Sequence, residues 1–115
     1  MPDRPVIRRL SETSPVPCPC GQAYRIMTKE DGGPVSFHIV QIHGQATKHR
    51  HARMTETYYC IEGYGQIELD DEVHDFTPGT VVMIPPGVAH AARGDVTIVN
   101  VVSPPFEPGD EEIVS

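Results

Sequence analysis

No run of eighteen apolar residues occurs in the 115-residue chain, which excludes a membrane-spanning helix on length alone. An apolar signal core is also missing at the N-terminus, where Asp3, Arg4, Arg8 and Arg9 interrupt the sequence. The expectation is a cytoplasmic protein that does not meet a membrane. Basic charge is scarce: nine Lys and Arg against sixteen Asp and Glu leave a net charge of −7. With no basic stripe to follow a phosphate backbone, nucleic acid is not an expected partner. Cysteine is sparse too. Cys18, Cys20 and Cys60 cannot all pair within one chain, and a reducing compartment requires no pairing, so disulfides are expected to be absent. Cys18-Pro19-Cys20 has no second cysteine pair with which to complete a structural zinc shell. The stretch Pro17 to Gly21 reads instead as an extended, turn-ended segment that packs small sulfurs against a core. No helical pattern of convincing length is present, and no internal repeat.

What the chain does contain is punctuation. Twelve prolines and ten glycines separate short apolar runs, the pattern of many turns and short strands, and the fold class is all-β. A chain of this length buries roughly two-thirds of its unfolded surface, enough for one modest core. Strands are expected over Tyr24 to Thr28, Val35 to Ile42, Thr57 to Ile61, Gln66 to Leu69, Val73 to Thr77, Thr80 to Ile84, Ala89 to Arg93 and Thr97 to Val102. Gly63-Tyr64-Gly65, Asp70-Asp71 and Pro78-Gly79 are read as turns between them. The organisation is an extended Pro-rich arm over 1–21, a folded core over 22–103, and an irregular acidic tail over 104–115.

Chemistry concentrates at four residues. On a strand, side chains alternate faces, so His49 and His51 point the same way and present two imidazoles to one point. Glu56 breaks that parity; a turn or bulge within Ala52 to Thr55 must re-aim it. His90 follows after two hairpin-like connections that fold the chain back on the first three residues. Three imidazoles and one carboxylate make a first coordination shell for one divalent transition metal ion, with iron, manganese, nickel, cobalt, copper and zinc all open. If Glu56 faces inward, Tyr58 and Cys60 share its face while Tyr59 and Ile61 face away. Tyr58 is the candidate proton donor to a metal-bound substrate. Arg53, in the turn beside the ligands, is the candidate anion contact, and Cys60 is core filler. His38, His43 and His74 are assigned surface or structural roles.

These residues carry a resemblance. Gly44, four residues, His49-x-His51, four residues, Glu56, six residues and Gly63 resemble the first cupin motif; Gly79, five residues, Pro85-x-Gly87, two residues and His90 resemble the second. Gly94 stands where the second motif usually carries an Asn that is not a ligand. The resemblance implies an antiparallel jelly-roll β-barrel as a single domain, with the metal inside it ligated by His49, His51, Glu56 and His90. It also implies a metal-dependent enzyme on a small-molecule substrate. A dioxygenase-type oxidoreductase is the leading expectation; a Lewis-acid isomerase, cyclase or lyase acting on a sugar or small organic acid is the alternative, and a non-catalytic binding module the third. Small cupins commonly dimerise, so a homodimer is expected, and sedimentation at 12.7 kDa alone would overturn it.

Overall fold

The computed structural model describes residues 4–19 and 21–114. Nine antiparallel strands form among them: β1 (Val16–Cys18), β2 (Gly21–Met27), β3 (Ser36–Gln45), β4 (His49–His51), β5 (Thr55–Leu69), β6 (Glu72–Phe76), β7 (Val81–Ile84), β8 (His90–Ser103) and β9 (Glu111–Ile113). They build one curled sheet in the order β1-β2-β3-β8-β4-β9, and β5 lies along the free edge of β8 and carries β6 and β7. The result is the all-β jelly roll the motifs imply. Among the described residues, no helix is long and apolar enough to cross a membrane.

The two longest strands differ from expectation. Gly63-Tyr64-Gly65 does not end a strand: β5 runs on for 15 residues, shifting register between Cys60 and Glu62. Gly94 likewise lies within the 14-residue β8. These glycines serve close approach rather than turning, since Gly65 pairs with Gly94 and a Cβ on Gly63, at φ 95°, would collide with the Asp95 carbonyl oxygen. The expected turns at Asp70-Asp71 and Pro78-Gly79 do form.

Alternation along the central strands fills the interior. From β3, Ser36, His38, Val40 and Ile42 point inward; from β8, Val96, Ile98, Asn100 and Val102 do so. Ile42, Val96, Ile98, Cys60, Ile67 and Phe76 form the apolar part, each large side chain contributing about 1.5–3 kcal/mol by leaving water. His38, Asn100 and Tyr58 lie side by side in register at the other part of the same face. One inward face is thus apolar along half its length and polar along the rest, and the polar half is where the four ligand-type residues gather.

Both ends of the chain fold back. β1 pairs with β2 in the N-terminal segment. The acidic segment after Ser103 does not leave as an irregular tail; it returns across the barrel, and β9 pairs with β4 from His51↔Glu111 to His49↔Ile113. Cys60 is free and buried. Cys18 is disulfide-bonded, a correction to the expectation of no disulfide, which rested on an assumed compartment and an odd count rather than on the geometry of any pair. Cys20 lies outside the described residues.

Candidate metal centre

β4 is only three residues long, and its parity puts His49 and His51 on the inner face. The chain then has to change face before Glu56. It does so over Ala52, Arg53 and Met54, whose three backbone N–H groups all donate to the Asp110 carboxylate at 3.1, 2.9 and 2.9 Å. Those three bonds outweigh the effect of desolvation and hold the Asp110 carboxyl below its usual range. Glu56 emerges facing inward and Tyr58 and Cys60 are buried with it, whereas Tyr59 and Ile61 are exposed. His90 opens β8 opposite His49.

The ligand atoms of His49, His51, Glu56 and His90 all lie within 4.8 Å of one another, and all four side chains are buried. Each imidazole is oriented from behind. His49 Nδ1 donates to the Thr47 carbonyl at 2.8 Å, His51 Nδ1 to the Asp110 carbonyl at 3.0 Å and His90 Nδ1 to the Val88 carbonyl at 2.9 Å. A carbonyl only accepts, so each ring carries a proton on Nδ1 and turns its Nε2 inward, where the uncharged ring offers a lone pair. Nε2 of His51 and of His90 stand 3.0 and 2.9 Å from Glu56 Oε1. Three lone pairs and a carboxylate oxygen around one point form an electron-rich cluster that a cation at its centre stabilises. The cluster is compatible with one metal ion, and the three carbonyls behind the rings fix their orientation as metal-binding histidines require.

The second oxygen of Glu56 is also held: Asn100 Nδ2 donates to Oε2 at 2.7 Å, and the Tyr58 hydroxyl donates to Oε1 at 3.4 Å. Burial alone would raise the Glu56 pKa, but hydrogen bonds from His51 and His90 outweigh it and hold the carboxyl well below the usual range. Burial works against a charged His51 as well; the hydrogen bond and charge of Glu56 prevail and raise its pKa. Burial keeps His49 low. For Tyr58, burial and then the Glu56 charge push the phenol well above its ordinary value, so it keeps its proton.

A cavity of ≈ 130 Å³ opens beside the cluster, with His49, Glu56, Tyr58, Asn100, Arg25 and Phe106 in its wall. The Arg25 guanidinium lies 4.8 Å from the Phe106 ring centroid and, among the described residues, has no carboxylate partner. Asn100 Oδ1 is buried without a hydrogen-bond partner. His38 Nε2 and Ser36 Oγ are hydrogen-bonded at 2.8 Å, and the same hydroxyl oxygen receives the Phe106 N–H. Burial, then the Arg25 charge, lowers its pKa to about 4. Arg53 is elsewhere: it is exposed in the turn, tied through its backbone to Asp110, and is not in the cavity wall. Arg25, Asn100, Asp110 and Glu111 were not foreseen. Asn100 had a signal, as the polar residue in the inward series Val96, Ile98, Asn100, Val102. Arg25, Asp110 and Glu111 had none, because only the curl of the sheet and the returning C-terminus bring them here.

A curled antiparallel sheet that buries three histidines and a glutamate inside it is the signature of a small jelly-roll protein with a candidate metal centre. The Cupin domain model matches residues 36–102, and the chain belongs to the cupin family. It is 32% identical over 90 residues to the L-ectoine synthase of Hahella chejuensis, covering 74% of this chain and 68% of that enzyme. A second L-ectoine synthase, from Hyphomonas neptunium, is 31% identical, with 73% of this chain and 64% of that enzyme matched. The chain thus spans about two-thirds of the length of these relatives. In three dimensions it resembles the crystal structure of a protein from Planctomyces limnophilus, with a TM-score of 0.90, 39% identity and coverage of 95% and 96% of the two chains.

Proposed function

We propose that this cupin is a metal-dependent cyclase or lyase acting on a small organic acid, with His49, His51, Glu56 and His90 as the ligands of one divalent ion. The observation that carries this is the lock on the three rings: every Nδ1 is fixed by a backbone carbonyl, so every Nε2 is turned into the cluster, those of His51 and His90 onto Glu56 Oε1. A bound divalent metal with an open position supplies Lewis acidity towards a carbonyl or leaving group. Such a donor set serves redox and redox-inert ions alike, so the reaction class rests on the relatives. They are named synthases, and this favours the Lewis-acid alternative over the dioxygenase that the resemblance first suggested.

The chain's own residues have clear tasks in this reading. Arg25 receives the substrate carboxylate, its guanidinium having no acidic partner among the described residues and being backed by the Phe106 ring. Asn100 fixes Glu56 through Nδ2 and leaves Oδ1 to accept a hydrogen bond from the substrate. Tyr58, kept protonated by burial and by Glu56, acts as a donor and not as a base. The apolar wall of Val40 and Ile98 limits water.

The test is elemental analysis of the protein as purified beside His90→Ala, followed by product detection from small amino and hydroxy acids without oxygen. Stoichiometric metal, lost in the variant, with anaerobic turnover supports the proposal. Turnover only with dioxygen would return the dioxygenase, and ligand-induced stabilisation without product would mean a binding module.

A further inference from the structure

Glu111 brings a second carboxylate to the His49 side of the cluster. Its Oε1 lies 3.4 Å from His49 Nε2, the ring nitrogen turned away from Thr47 and towards the cluster. The position follows from register. Glu111 pairs directly with His51 across the β4–β9 ladder and therefore projects to the same side, while Arg50 and Glu112, the next pair, project outward and meet at 2.8 Å. Glu111 lines the cavity together with His49 and Glu56.

Its electrostatic situation is unusual for a carboxylate that is 21% exposed. Among the described residues no lysine or arginine pairs with it, since Arg50 takes Glu112 and Lys48 takes Glu68. Two carboxylates, Glu56 and Glu111, thus face three imidazoles whose Nδ1–H groups are each tied to a backbone carbonyl, Glu56 at His51 and His90 and Glu111 at His49. A divalent cation balances two negative charges, and a half-buried carboxylate without a countercharge is otherwise costly. The preceding residue fixes the approach, because Asp110 clamps the turn before Glu56 with its carboxylate and His51 with its carbonyl.

We propose that Glu111 is a fifth protein donor of the metal centre, carried in by the C-terminal strand β9, so that metal loading and docking of residues 104–114 are one coupled event. This rests on the reading of His49, His51, Glu56 and His90 as metal ligands. It gives the C-terminal segment a task that the two motifs do not contain, and it leaves fewer open positions for substrate than a four-ligand shell.

The experiment titrates the metal-free full chain with cobalt(II), comparing wild type, Glu111→Gln, Glu112→Gln and His90→Ala. Visible absorption and hydrogen exchange of residues 104–114 are followed in the same titration. Wild type is expected to bind one equivalent and to slow exchange across 104–114 as it does so. Glu111→Gln should bind about 10- to 100-fold more weakly, show shifted absorption bands and lose the metal-dependent slowing. Glu112→Gln, which removes only the outward ion pair, should match wild type in all three. Should Glu111→Gln fail to fold, Glu111→Asp, which keeps the charge on a shorter stem, makes the same comparison and should retain weakened binding. Glu111→Gln titrating like wild type would overturn the role of Glu111 and leave the four-ligand reading standing, as would an equal loss in Glu112→Gln. Absence of binding in wild type itself would overturn both.

Discussion

His38 shows how much a single residue's meaning depends on its neighbours. A lone histidine outside both motifs reads as surface or structural, yet this one is buried in the cavity wall against Ser36, with its pKa lowered to about 4 by burial and by Arg25. In the unfolded chain it titrates near 6.5. Between those values the unfolded state holds the extra proton, so stability rises with pH through this window and is lost as pH falls from about 6.5 to about 4. The shift corresponds to a loss on the order of 3 kcal/mol. Urea unfolding of wild type and His38→Gln across pH 4–7 isolates it: the gap between the two curves should change with pH in that window. A constant gap would show that His38 titrates alike in both states. Tyr58, by contrast, shares the face of Glu56 by parity, and both are buried.

At the scale of elements, glycine is where reading from sequence went furthest astray. Gly63-Tyr64-Gly65 has the composition of a turn, and composition does not distinguish a glycine that turns from one that lets two backbones touch. The contrast is testable. Gly79, at φ 92°, has open space around its missing Cβ, whereas Gly63, at φ 95°, faces the Asp95 carbonyl. Gly79→Ala should cost about 1 kcal/mol for the left-handed backbone. Gly63→Ala should cost on the order of 3 kcal/mol, because a strand of the central pair must move as well. Denaturation midpoints of the two variants decide it, and equal losses would mean that β5 and β8 part easily at this crossing. The C-terminal segment was misjudged for a related reason. Its prolines and acids look solvated, but Asp110 and β9 find partners on a turn and a strand some sixty residues earlier.

At the scale of the whole molecule, the candidate centre brings together strands that are distant in sequence: β4 carries His49 and His51, β5 Glu56 and β8 His90, and β9 pairs alongside β4. A metal held there stabilises only the folded state, by about 2.7 kcal/mol at a hundredfold excess over its dissociation constant. Chelation should therefore lower Tm by about 10 °C in a domain of this size, read by calorimetry, while His90→Ala should be indifferent to chelator. An unchanged Tm on chelation of metal-loaded wild type would mean that the ion does not bridge these strands.

The sequence by itself determined the all-β class, the face that Glu56, Tyr58 and Cys60 share, and the four ligand-type residues. Those properties depend on period-two alternation and on the spacings within two motifs, which are written along the chain. Only the tertiary structure decided that Asn100 holds Glu56, that Arg25 faces the cavity, that Arg53 does not, and that Asp110 and Glu111 return to the site. Each of these depends on how far a sheet curls and where a terminal segment docks, and both are set by packing between residues far apart in sequence.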